Sequence, residues 1–138
     1  MRLKLVLLCI ALMAVAGCSR DPTAAWDRSE YLYDFQRTCF CGSQVTAPVT
    51  IHVRAGVVAG VFKRPSGENV TNLPNADWPT IEDLVERIEE ARRNGEKNLI
   101  VRYDEEHGYP TYIEIGTIAN DAGVIYTAEN LRSASIVR

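Results

Sequence analysis

A single amphipathic helix lies between two groups of segments with strand-like periodicity, and this order most constrains the fold of the chain. Apolar residues recur at helical spacing between residues 80 and 93, whereas apolar and polar residues alternate with a period of two on both sides of that stretch. Connections of hairpin length favour antiparallel pairing, and such a sheet buries one face under a helix. The sequence therefore predicts an α+β fold. It has an antiparallel sheet of about five to six strands in two hairpin or meander blocks, one main amphipathic helix packed on one face, and a short N-terminal helix near Asp21 and Pro22.

The period-two pattern marks six strand segments. Alternation on both sides of Ala55-Gly56 predicts a tight hairpin, and the stretch 65–79, which is rich in proline, glycine and asparagine, predicts a loop. In the first segment the alternation continues through Arg37 to Cys39 and Cys41, so we expect both cysteines on one face of that strand. The predicted strands are Tyr31–Gln36, Val49–Arg54, Val57–Phe62, Leu99–Tyr103, Tyr109–Ile115 and Val124–Ala128.

The helix carries its own start signal and a charged outer face. Thr80 precedes Asp83 by three residues, as in a capping box. Asp83 precedes Arg87 by four residues, and Glu89 precedes Arg93 by the same spacing, which predicts two ion pairs on a solvated surface. The apolar face that we expect to pack on the sheet comprises Ile81, Leu84, Val85, Ile88 and Ala91.

The N-terminal residues have the pattern of an export signal that ends in a lipidation site. Arg2 and Lys4 precede an apolar run that is too short to cross a bilayer, and the run ends in the letters V-A-G-C at residues 15–18. This ending resembles the lipobox of bacterial lipoproteins. The resemblance implies that Cys18 is acylated and becomes the first residue of the mature chain; a plain signal peptide cleaved nearby is the alternative.

The lipobox divides the chain into three expected parts: a signal peptide over residues 1–17, a lipidated N-terminus and tether over residues 18–25, and a single domain over residues 26–138. Each CH₂ group of an acyl chain contributes roughly 0.8 kcal/mol when buried in lipid, so two or three chains anchor a domain stably. We therefore expect a membrane-anchored lipoprotein of the cell envelope that faces the periplasm or the exterior. In a Gram-negative cell, Ser19 in place of Asp after the cysteine favours the outer membrane.

Composition narrows the range of partners. Of the 138 residues, 46% are hydrophobic and 24% are charged, as in an ordinary globular domain, and the formal net charge is −3. A net acidic chain without a basic run is a poor nucleic-acid binder. The expected partners are membrane lipid, through acylated Cys18, and an unidentified envelope protein or small ligand.

Four short motifs, taken in order, resemble a known family. They are Y-x-Y at residues 31–33, C-x-C at 39–41, TI-x-DL at 80–84 and YD-x-x-x-GYPT at 103–111. The chain is similar, over roughly Trp26 to Leu131, to bacterial envelope lipoproteins grouped as Domain of Unknown Function 6174. The resemblance implies this location and fold, and it supplies no activity. The chain departs from the family pattern at Ala122, where members usually carry an acidic residue.

Cys39 and Cys41 have the most reactive side chains of the predicted domain. Thiols this close are expected to be oxidised outside the cytoplasm. On a regular strand, Cα atoms two residues apart lie roughly 6.6 Å from each other, near the upper limit of about 6.8 Å for a disulfide. A bulge or strand end at Gly42 would shorten this distance. A structural disulfide is the first interpretation, and a redox-active pair or a soft-metal site with both thiolates are the alternatives.

The turn after the fourth predicted strand supplies a candidate binding surface. It comprises Asp104, His107, Tyr109 and Tyr112, with Trp78 as a further aromatic residue. The alternative is that the aromatic rings are buried in the core and that Asp104 caps the turn by accepting backbone N–H groups. The charged turn lacks the ligand spacing of a calcium loop, so we predict no metal site and no cofactor.

The sequence favours binding over catalysis. It contains no serine-hydrolase, zinc-protease or phosphate-loop motif, so we predict no catalytic residue. The first hypothesis is a membrane-anchored envelope protein whose domain binds a partner or ligand without catalysis. The alternative is an envelope thiol–disulfide or soft-metal-handling protein that uses Cys39 and Cys41.

Overall fold

The domain is built on one antiparallel sheet, which a computed structural model describes over residues 29–134. The predicted signal peptide, Cys18, the tether and the short helix expected near Asp21 lie outside the described residues. Within residues 29–134, none of the helices combines the length and the apolar character needed to span a membrane.

All six predicted strands and the main helix are present, which confirms the α+β fold. Two short helical segments accompany them: a single turn after the first strand and a 3₁₀ turn over Ile118–Asn120. In chain order the strands and α-helices are β1 (Glu30–Thr38), α1 (Ser43–Thr46), β2 (Val49–Arg54), β3 (Val57–Lys63), α2 (Ile81–Arg93), β4 (Leu99–Tyr103), β5 (Pro110–Ile115) and β6 (Val124–Ser133).

The sheet joins two three-stranded meanders edge to edge. Its strand order is β3-β2-β1-β6-β5-β4, with every neighbouring pair antiparallel. The junction is the long pairing of β1 with β6, in which Arg37 lies opposite Tyr126. The last strand runs past the predicted end at Ala128, because a bulge near Asn130, whose φ is +53°, lets pairing with β1 resume at Leu32. The junction therefore places residues from both halves of the chain side by side.

The core lies between the sheet and α2. Tyr31, Tyr33 and Phe35 project from one face of β1 and are at most 1% exposed. The helix buries the predicted apolar face, except that Val85 is half-buried. The largest contributions from the other elements are Val49, Ile51, Val53, Val61, Ile113 and Tyr126. Burial of side chains of this size contributes about 1.5–3 kcal/mol each.

The start of α2 is fixed both by its own cap and by β1. Thr80 Oγ1 accepts from the Asp83 N–H at 3.0 Å, and Asp83 Oδ2 accepts from the Thr80 N–H at 2.8 Å, so the predicted capping box forms. The hydroxyl of Tyr31 accepts from the Ile81 N–H, and that of Tyr33 donates to a carbonyl just before the helix. These bonds set where α2 begins on the sheet.

The outer face of α2 is paired differently from the prediction. Arg93 contacts Glu86 at 2.6 Å, and Arg92 contacts Glu89 at 2.6 Å, so the predicted pair of Glu89 with Arg93 is wrong. Both pairs are exposed, and exposed ion pairs contribute about 0–1 kcal/mol.

Asp34 lies on the sheet face opposite α2 and is only 8% exposed. Its carboxylate accepts from Thr50 Oγ1 at 2.8 Å and from Asn130 Nδ2 at 2.9 Å, and the guanidinium groups of Arg64 and Arg132 lie 3.3 and 3.4 Å away. Burial alone would raise the pKa of Asp34, but the hydrogen bonds and the two cations outweigh burial and lower it. Asp34 thus joins β1, β2 and β6 on this face.

Candidate functional site

Cys39 and Cys41 follow β1 and do not lie on it. The strand ends at Thr38, so the prediction that both cysteines continue the strand face is wrong. Because the backbone bends there, the two Cα atoms lie 5.2 Å apart, and the two sulfur atoms lie within disulfide distance. Phe40 between them is 71% exposed. The cysteine pair thus flanks one exposed apolar side chain.

Asp104 caps its own turn. Its Oδ1 accepts from the backbone N–H groups of His107 at 2.6 Å and Glu106 at 3.1 Å, and His107 Nδ1 lies 3.1 Å away. The backbone hydrogen bond from His107 is the main cause that lowers the pKa of Asp104. The polar groups of this turn are thus engaged with one another.

The aromatic residues of the predicted binding surface lie apart. Tyr109 is 5% exposed and belongs to the core, whereas Tyr112 lies on the opposite sheet face, where its hydroxyl donates to Glu114 at 2.7 Å. The indole of Trp78 packs edge-on against Phe35 and donates to the Val70 carbonyl. The structure therefore does not bring Tyr109, Tyr112 and Trp78 to one surface.

The His, Cys, Asp and Glu side chains of residues 29–134 do not gather into a metal site. That part of the chain has no group of three or more His, Cys, Asp or Glu side chains arranged to hold a metal ion.

A polar cluster that the sequence did not indicate lies at the far end of the β1–β6 junction. Arg37 continues the inward alternation of β1 and is only 9% exposed, on the same face as the core aromatics. Arg87 extends to the same place from the middle of α2. The guanidinium groups of both arginines lie over the ring of Tyr126, which is on β6. The one sequence signal that could have indicated this cluster is Arg37 itself, a charged residue in line with the aromatic residues of the first strand.

Arg87 connects three elements of the domain. Its Nη1 donates to the Tyr126 hydroxyl at 2.8 Å, and its Nη2 donates to Asp77 Oδ2 at 2.7 Å. The predicted pair of Arg87 with Asp83 is wrong, because the Asp83 carboxylate accepts from both the N–H and the hydroxyl of Thr80. The helix cap thus leaves Arg87 available for the inward contacts.

Asp77, in the loop before α2, contacts both arginines. Its carboxylate pairs with Arg87, and its backbone carbonyl accepts from Arg37 Nη2 at 2.8 Å. The residue adopts φ +45°, in the left-handed region that asparagine and aspartate tolerate better than most other non-glycine residues. The loop backbone holds this conformation while presenting two oxygens to the cluster.

Arg37 is buried with an incomplete set of partners. Its guanidinium carbon lies 5.8 Å from the centre of the Tyr126 ring, and Nη2 is bonded to Asp77, but the buried Nε has no hydrogen-bond partner. A buried N–H without a partner costs about 1–3 kcal/mol. The cluster therefore has an unused donor.

Both guanidinium groups remain charged at neutral pH, but their surroundings act in opposite directions. Burial lowers the pKa of Arg37, and the charge of Arg87 lowers it further. Burial also lowers the pKa of Arg87, but Tyr126 and Asp77 outweigh burial and raise it overall. Arg87 is thus the better compensated of the two cations.

An open groove of about 420 Å³ runs along the cluster and the end of α2. Its volume is within the range of about 300–1,000 Å³ that is typical of small-ligand sites. Its walls combine charged, polar and apolar side chains: Asp77, Arg87, Glu90, Ala91, Asn94, Glu96, Ile115 and Tyr126. A groove of this kind can hold a small polar ligand by charge and hydrogen bonding over a partly apolar floor.

The comparisons with known proteins identify a family for this chain. No curated protein and no solved structure matches it. The model of one family, described as a family of unknown function (DUF6174), matches residues 23–133, which include every strand and the groove beside Tyr126. The chain therefore belongs to this family of unknown function.

Proposed function

We propose that this protein is a membrane-anchored lipoprotein of the bacterial cell envelope whose α+β domain is a non-enzymatic binding module. The groove lined by Arg87 and Tyr126 carries the proposal, because it has a ligand-sized volume and one of its walls is a guanidinium group, with the buried Arg37 adding a second positive charge behind Tyr126. Guanidinium groups are poor proton-transfer catalysts, since they stay protonated in proteins. They are well suited to holding an oxygen-bearing ligand.

The position of the groove fits an N-terminal anchor. Strand β1 begins at Glu30, soon after Cys18, and the stretch between them spans at most about 40 Å when fully extended. Arg37 lies near the other end of β1, roughly 23 Å farther along the strand. The groove thus opens at the end of the sheet that is remote from the start of β1.

Anchoring is tested by replacing the lipidated residue. In a bacterial host, Cys18→Ala should remove the acyl mass from the N-terminus and shift the protein from the detergent phase to a soluble or unprocessed pool. Ser19→Ala is the matched control and should partition like the unchanged protein. Equal partitioning of both variants, with no acyl mass on the unchanged protein, would overturn the lipoprotein assignment.

Binding is tested by thermal unfolding of the processed protein in detergent micelles with a panel of small carboxylates, amines, zwitterions and neutral sugars. A ligand that binds the folded state at about 100 times its Kd stabilises it by about 2.7 kcal/mol, so Tm should rise by several degrees. Asn94→Trp should abolish this rise, because Asn94 is exposed and lines the groove, so an indole there occupies it. Glu86→Trp, on the outer face of α2, is the control that should keep the response.

Either of two results would contradict the binding module. One is that no compound in the panel raises the Tm of the unchanged protein. The other is that Asn94→Trp, although folded, keeps the full response.

Thiol–disulfide exchange at Cys39 and Cys41 is the second candidate. The observation that favours it is exposure: both cysteines are only partly buried, and Phe40 between them is available to a partner. An envelope dithiol would transfer two electrons and two protons to the pair and become a disulfide itself. Equilibration with glutathione buffers, followed by alkylation, distinguishes the roles. A structural pair stays oxidised down to about −300 mV, whereas an exchanging pair is reduced at higher potentials.

A further inference from the structure

The groove beside Tyr126 carries opposite charge at its two ends. Arg87 and Asn94 both line it and lie about 10 Å apart along α2, as the helical rise requires. Arg87 lines one end, with the buried guanidinium group of Arg37 behind Tyr126, and Glu96 and the C-terminus of the helix lie at the other. Glu90 lines the groove between them.

The guanidinium end has surplus positive charge. Asp77 is the carboxylate paired with Arg87, and its side chain is 77% exposed. Arg37 has no ion-pair partner among the described residues, and its Nε has no acceptor. Two cations against one solvated carboxylate favour the approach of an anionic group.

The other end has surplus negative charge. Glu90 and Glu96 line the groove, and neither is in an ion pair with a residue of the described part of the chain. Glu96 Oε1 accepts only a backbone N–H, at 3.0 Å from Asn98. The C-terminus of α2 adds the equivalent of about −0.5 charge. The two arginines of the last turn make their ion pairs with Glu86 and Glu89 on the outer face, and Arg93 acts on Glu90 only over a longer distance.

We infer that the groove binds a small zwitterion, with its carboxylate at Arg87 and its ammonium group at Glu90 and Glu96. This inference rests on the proposed binding function and names its ligand class: an amino acid with a long spacer, or a short peptide. The apolar part of the ligand lies over Ile115 and the Tyr126 ring, both of which line the groove.

Ligands with a single charge fit less well. A ligand with only a carboxylate is attracted by the arginine end and repelled by the carboxylates of the groove. A ligand with only an amine is attracted by these carboxylates and repelled by the arginine end. A zwitterion whose charges are spaced to match gains at both ends, and its affinity should depend on that spacing.

Calorimetric titration of the processed protein tests the spacing. The probes are glycine, γ-aminobutyrate, ε-aminohexanoate and triglycine, with hexanoate and hexylamine as analogues that lack one charge. We expect ε-aminohexanoate and triglycine to bind at least about tenfold more tightly than glycine, hexanoate or hexylamine, since one added charge-assisted contact suffices for that factor.

A matched pair of helix variants assigns the ammonium site. Glu90→Gln should weaken ε-aminohexanoate at least about fivefold and should not weaken hexanoate, because only the ammonium contact is changed. Glu86→Gln removes the same charge from the same helix outside the groove and should leave both affinities unchanged.

The outcomes separate the ligand class from the binding function. If hexanoate or hexylamine binds as tightly as the zwitterions, or if Glu90→Gln and Glu86→Gln behave alike, the zwitterion assignment is wrong while binding in the groove stands. If none of these probes binds but another class in the thermal panel does, the ligand class is again wrong. If nothing binds in either experiment, both proposals fail.

Discussion

Arg87 donates a hydrogen bond from Nη1 to the hydroxyl of Tyr126 over 2.8 Å, and its guanidinium carbon lies 5.0 Å from the centre of the same ring. This contact ties α2 to β6 at the point where the groove opens. The helix thus contributes the same side chain to the stability of the fold and to the wall of the groove.

The Tyr126 hydroxyl should contribute measurably to stability. Tyr126→Phe removes the acceptor of a charged donor that is largely buried, so we expect a loss of about 1.5–3 kcal/mol in the free energy of unfolding in urea. Tyr112→Phe is the control, because its hydroxyl bonds a carboxylate on the open sheet face, and it should cost no more than about 0.5 kcal/mol. Equal losses would mean that the buried contact has no special weight.

The apolar face of α2 should dominate its contribution to folding. Leu84→Ala or Ile88→Ala leaves a cavity in the core, since both residues are at most 1% exposed, and each should cost about 2–5 kcal/mol. Glu86→Ala changes an exposed ion pair and should stay within about 0.5 kcal/mol. Denaturant midpoints measure all three, and similar losses at the two faces would contradict the packing.

Stability should fall in acid partly because of Asp34. The pKa of the Asp34 carboxyl is lower in the folded protein than in the unfolded chain, where it is about 4. The ionised carboxylate therefore stabilises the folded protein fully above about pH 4, and this contribution is lost as the pH falls through the folded-state pKa. Asp34→Asn should therefore flatten the decline of the urea midpoint between about pH 5 and pH 2. Glu105→Gln, in an exposed turn, should leave the decline unchanged; the opposite ranking of the two variants would refute the assignment.

Mass spectrometry tests the predicted disulfide between Cys39 and Cys41. The isolated protein should be lighter than its reduced form by two hydrogen atoms and should resist alkylation until it is reduced. Reduction should lower Tm if the bond is structural, since a cross-link restricts the unfolded chain. Two thiols that react at once in protein purified from the envelope, without bound metal, would contradict both the structural and the exchanging roles.

Much of the fold follows from local patterns that the sequence displays. The Tyr31 and Ile51 strands alternate regularly, and Thr80 with Asp83 marks the helix start, so these elements are predictable. The end of β6 is not, because alternation breaks at Asn130 and pairing resumes only through a bulge against β1. Strand order likewise depends on long-range pairing that local periodicity does not encode.

The groove was beyond sequence reasoning for a related reason. The spacing of Asp83 and Arg87 suits an ion pair on a helix surface, but Asp83 is engaged by the cap, and Arg87 turns towards Asp77 and Tyr126. These partners lie far apart in sequence and meet only once the loop before α2 and the β1–β6 junction have formed. The turn around Asp104 and Tyr109 is conspicuous as a motif, yet the structure uses it for local capping and core packing.

The central claim is that the groove beside Tyr126 is the binding site of the domain. Backbone amide shift mapping of the isotope-labelled protein, during titration with ε-aminohexanoate and the other panel compounds, tests it most directly. We expect the largest perturbations on Ala91, Asn94 and Ile115, which line the groove. Perturbations centred instead on Arg102 and Tyr112, on the opposite sheet face, would contradict it.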